Sequence, residues 1–80
     1  MDEARRNKLR EAARLLGRAS NIVDDVADKE DDAMSNIPEN LQGAERYSTM
    51  EEIVDLLNDA SEKIGEATEL VNSATQKRCR

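Results

Sequence analysis

Eighty residues set the scale of one small domain, and 18 Asp and Glu against 12 Lys and Arg leave a net charge of −6. There is no histidine, and the single cysteine, Cys79, stands next to the C-terminus, which excludes an internal disulfide and the usual nucleophilic and acid–base constellations. Charge interrupts every apolar stretch, so no membrane-spanning run is present, and no glycine-rich phosphate loop or EF-hand pattern occurs.

The chain is therefore expected to be non-enzymatic, with no cofactor and no metal centre. Met1-Asp2-Glu3-Ala4-Arg5-Arg6 lacks the apolar core of a signal peptide, so a cytoplasmic location is expected. Although 38% of residues are charged, the regular phase of Leu, Ile and Val predicts a folded chain rather than a disordered one.

The first predicted helix covers about residues 2–34, with Asp2 as N-cap. Its apolar positions Leu9, Ala12, Leu16, Ala19, Val23, Val26, Glu30 and Ala33 alternate in steps of three and four, which keeps them on one narrow seam. Glu30 is the polar exception. It is expected either to reach outward to Lys29 or a partner's arginine, or to specify the register.

The connection, residues 35–47, is long for a helix–helix joint. Ser35 or Asn36 can cap, Pro38 suits a first helical turn and Gly43 can close one, so a short helical turn is expected. In one reading Ile37, Leu41 and Tyr47 plug the end of a bundle. In the other, Pro38, Leu41, Gln42, Arg46 and Tyr47 form a recognition loop.

The second helix is predicted over about 48–76, where Ser48-Thr49-Met50-Glu51 fits a capping box. Its seam is Met50, Ile53, Leu57, Ala60, Ile64, Ala67, Val71 and Ala74. Folding the chain back at its middle opposes Leu9 with Ala74, Leu16 with Ala67 and Ala33 with Met50. Large then meets small at six of the eight levels, as interdigitating layers require. The expected fold is an all-α antiparallel two-helix hairpin, one domain over residues 1–80, each helix roughly 40–50 Å long.

More apolar surface remains than one hairpin needs. Ala13, Leu15, Ile22, Ala27 and Met34 lie beside the first seam, and Val54, Leu56 and Leu70 beside the second. Leu15, Ile22, Leu56 and Leu70 are the expected oligomer interface, pairing two hairpins into a four-helix bundle. Residues 2–18 and 66–80 hold nine bases against five acids, whereas 24–62 hold thirteen acids against Lys29 and Arg46. An antiparallel homodimer relieves that asymmetry, and weaker association at low pH or high salt is the expected consequence.

Four further features are candidates for function. Glu52, Asp55, Asp59, Glu62, Glu66 and Glu69 form an acidic ridge on the outer face of the second helix, able to imitate a phosphate track and fill a basic groove on a protein partner. Arg14, Arg18, Thr68 and Asn72 form a candidate anion or nucleotide site near Gly17 and Gly65, glycines that would permit close approach. Asp24, Asp28 and Asp31 share a face and give at most weak association with a hard cation. Cys79 is expected to be a solvated thiol or an inter-chain disulfide. With no aromatic residue at the basic end to stack bases and an acidic overall balance, direct nucleic-acid binding is not expected.

The segment Asn36-Ile37-Pro38-Glu39-Asn40-Leu41-Gln42-Gly43-Ala44-Glu45-Arg46-Tyr47, set between a basic first helix and an acidic second one, resembles a group of small uncharacterised bacterial, phage or mobile-element proteins. That group carries an N-[ILM]-P-E-[NS]-L-Q stretch followed by Glu-Arg. The resemblance implies a helical hairpin of mobile-element origin and brings no catalytic or binding residues with it.

Overall fold

The structure, a computed structural model, describes residues 1–77; the expectations for Cys79 and for the bases Arg78 and Arg80 lie outside the described residues. Two long helices, α1 (Glu3–Ser35) and α2 (Glu45–Gln76), pack antiparallel, joined through a one-turn 3-10 helix at Glu39–Leu41. The hairpin is rod-like, with Cα extents of 64 × 15 × 12 Å.

The ends of α1 follow from local chemistry. Asp2 holds an extended backbone, and its Oδ1 accepts the Arg5 amide at 2.9 Å, as an N-cap does. At the other end the Asn36 amide donates to the Asp32 carbonyl, and Pro38 then starts the 3-10 turn, in which the Leu41 amide reaches the Pro38 carbonyl at 2.8 Å. The turn closes with no residue at positive φ, so Gly43 supplies no left-handed conformation.

The start of α2 differs from the expected capping box. The helix begins at Glu45, with Ala44 at the N-cap and no side-chain cap. The Ala44 carbonyl already accepts the amides of Tyr47 and Ser48, at 3.0 and 3.3 Å, so Ser48 lies inside the first turn. Its amide is not an orphan for Glu51 to satisfy.

Pairing along the rod runs in the expected antiparallel register. Arg6 Nε reaches the Thr75 carbonyl at one end, and Ser61 Oγ donates to Asp24 nearer the middle. The seam itself is Leu9, Ala12, Leu16, Ala19 and Val23 on α1, as expected, but then passes to Ala27 and Met34; Val26 and Ala33 stay exposed. On α2 the inward residues include Met50, Val54, Leu57, Ile64, Val71 and Thr75, whereas Ile53 and Ala74 stay exposed. A nearly straight α-helix advances about 3.6 residues per turn, so a strict 3.5-residue stripe drifts off the contact line by about 20° per heptad. The drift restores good packing: Ala27 is the most buried residue, and the Asp24–Ser61 register sets it near the larger Leu57. Glu30 is half-buried. Lys29 pairs instead with Asp25, at 2.9 Å, which corrects the expectation of a Glu30–Lys29 contact.

Candidate interaction surface

The hydrogen bonds across the hairpin, from Arg6 to the Thr75 and Lys77 carbonyls and from Ser61 to Asp24, mark one broad face as polar. Asp24 and Arg6 lie a quarter turn to one side of the α1 seam, at 100° per residue, and Ser61 leans to the same side of the α2 seam. Leu15, Ile22 and Val26 lie a quarter turn to the other side of α1. On the antiparallel α2, Ile53 and Leu56 turn toward that same opposite face, and Leu70, five turns along from Glu52, lies at its outer edge beside the acidic ridge. These six side chains remain 38–71% exposed. Mapped through the register, they run from the level of residue 13 to that of residue 30 on α1, about 25 Å of rod. Lys63 interrupts the row midway between Leu56 and Leu70, its ammonium 4.0 Å from Asp59.

At the loop end the row runs into an open recess bordered by Ala33, Ile37, Pro38, Leu41, Tyr47 and Met50. Ile37 and Tyr47 are half-buried and Leu41 is 52% exposed, and in the single hairpin the three border this open recess. Of the predicted recognition-loop residues, Pro38, Leu41, Arg46 and Tyr47 all border it. Gln42 is turned inward, its Nε2 donating to the Ile37 carbonyl at 3.4 Å.

The polar face carries a second recess at the open end, bordered by Glu3, Arg6, Arg10, Asn72, Thr75 and Gln76. Its guanidinium groups are already engaged. Arg6 donates to the carbonyls of Thr75 (3.2 Å) and Lys77 (2.7 Å), and Arg10 donates to Glu3 and Asn7, both at 2.7 Å. α2 has no base in its last turn, so Arg6 supplies across the hairpin the cation that its unpaired carbonyls favour. This role of Arg6 escapes a reading confined to each helix, although the fold-back pairing already sets it level with residue 77.

Among the residues predicted for an anion site, only Asn72 borders this recess. Arg14 and Arg18 are exposed on the outer side of α1, and Thr68 sits at the seam with its hydroxyl donating to the Ile64 carbonyl at 2.8 Å. A Cβ built on Gly17 or Gly65 meets nothing within 4 Å, so no close approach within the hairpin requires either glycine.

The six carboxylates of the acidic ridge are all exposed, on the back of α2 directly away from the seam. Residues 52 to 69 span about 25 Å of helix. Among the described residues no group of three or more His, Cys, Asp or Glu is placed to hold a metal ion, and no helix is long and apolar enough to cross a membrane. Comparison of the chain with protein-family models, curated proteins and solved structures finds no match.

Proposed function

We propose that this chain is a non-enzymatic α-helical interaction module that works by docking its apolar face against another helical surface. The observation that carries the reading is the row Leu15, Ile22, Val26, Ile53, Leu56 and Leu70, six large apolar side chains left open to solvent along one side of an otherwise charged rod. A face of that kind loses little on association and gains apolar burial of about 25 cal/mol per Å². The acidic ridge points a different way, so a docked module still offers its carboxylates to a basic protein surface. The resemblance carried by Asn36–Tyr47 supports a setting in phage or mobile-element biology. There the ridge would occupy a basic groove of a host defence or nucleic-acid-processing protein and inhibit it.

The alternative, a bundle that sequesters an anionic small molecule or nucleotide at the arginine end, has less support. Arg6 and Arg10 already donate within the chain, and Arg14 and Arg18 stand on a different side.

The test is affinity capture from host extract with three baits: the natural chain, a ridge variant (Asp55→Lys, Asp59→Lys, Glu62→Lys, Glu66→Lys) and a face variant (Leu15→Glu, Leu56→Glu). A basic protein held by the natural chain and released by either variant supports the reading. Equal capture by all three, or nothing above background, overturns it.

A further inference from the structure

The apolar face is an interaction surface without an occupant in the single chain, and the charge pattern of α1 identifies one. Residues 3–18 carry six bases (Arg5, Arg6, Lys8, Arg10, Arg14, Arg18) against Glu3 and Glu11. Residues 24–32 carry six acids (Asp24, Asp25, Asp28, Glu30, Asp31, Asp32) against Lys29. Between them Ala19-Ser20-Asn21-Ile22-Val23 is uncharged, and Ile22, 57% exposed, is its one large residue on the apolar face.

We infer that the occupant is a second copy of this chain, stacked face to face and antiparallel, with the two-fold axis passing beside Ile22 and α1 lying over α1 of the second copy. This rests on the reading of the apolar face as the docking surface and names its partner. A two-fold axis in that plane and across the rods reverses each copy end to end, so every basic half of α1 meets an acidic half. Packed helices lie 8–10 Å apart, and the Debye length at 0.1 M salt is about 10 Å, so the attraction survives ordinary ionic strength.

The other two-fold arrangement, with the axis along the rods, lays α1 over α2 of the second copy with both loops at one end. It sets the acids of residues 24–32 against Glu51, Glu52, Asp55 and Asp59, and is disfavoured. The apolar row, about 25 Å long on a face 15 Å wide, offers on the order of 400 Å² per partner, so the charged levels flanking it must join the contact to reach the roughly 800 Å² of a standard stable interface. Lys63, level with the axis, then stands near its counterpart in the second copy, each held by Asp59 of its own chain. The two acidic ridges stay on the outside of the four-helix bundle, which keeps them accessible.

Two measurements on the purified chain test the inference. Sedimentation equilibrium at micromolar concentration should give twice the 9.0 kDa monomer mass, with dissociation promoted several-fold on raising salt from 50 to 500 mM. A monomer, or an assembly larger than a dimer, overturns it. In a Cys79→Ser background, Ile22→Cys should form a disulfide-linked dimer under mild oxidation, whereas Leu70→Cys should not. A dimer that links through residue 70 and not through residue 22 overturns the stated geometry. Neither measurement involves a host protein, so a monomer that still captures a target through Leu15 and Leu56 would sink this inference and leave the proposed function standing.

Discussion

Arg6 on the second turn of α1 donates from Nε to the carbonyl of Thr75, 69 residues away, at 3.2 Å, while its terminal nitrogen reaches the Lys77 carbonyl. The basic start of α1 runs against its own helix dipole, where acidic residues would be favoured. Part of that charge serves the neighbouring helix end instead. Arg6→Met keeps the aliphatic stem and removes the donors, leaving the carbonyls of α2 to water. A loss of about 1 kcal/mol is expected for these part-exposed, charge-assisted bonds, read as a lower urea midpoint with an unchanged slope.

Ala27 is 3% exposed, on the inward side of α1. Ala27→Leu should force the helices apart and cost about 1–3 kcal/mol. Unfolding by circular dichroism measures it, and an unchanged midpoint would show that the seam has slack.

Gly17 and Gly65 lie toward the polar face, with room for a methyl group at both. Gly17→Ala and Gly65→Ala should each stabilise the helix by about 0.8–1.0 kcal/mol, raising the melting temperature without altering association. Loss of self-association in either variant would place the contact between copies on the polar side instead.

The hairpin, its handover at Pro38 and the cap at Asp2 were legible because each rests on local chemistry or on a pattern sustained over many turns. The choice between adjacent apolar residues was not. Val26 and Ala27, like Ile53 and Val54, stand 100° apart, and either member satisfies a stripe read one helix at a time. What decides is the accumulated phase of a straight helix and the bulk facing it, so the smaller Ala27 and Val54 go inside while Val26 and Ile53 join the open row. Leu15, Ile22, Leu56 and Leu70 were legible as surplus because no seam of two helices reaches them. The use of Arg6 required knowing which turn of α2 stands beside it, and the true start of α2 at Glu45 turned on a backbone acceptor, Ala44, that side-chain motifs do not reveal.

Among the described residues, just Ala27, Met50 and Val54 are buried, and none of them completely. So thin an interior gives a solitary rod little cooperativity, since long helices in water hold together chiefly through what they pack against. If the inferred pair forms, acquiring shape and acquiring a companion become a single event, and the melting temperature should climb with each tenfold rise in protein concentration. For such a pair, the amount of chain present would itself set how much of it is folded.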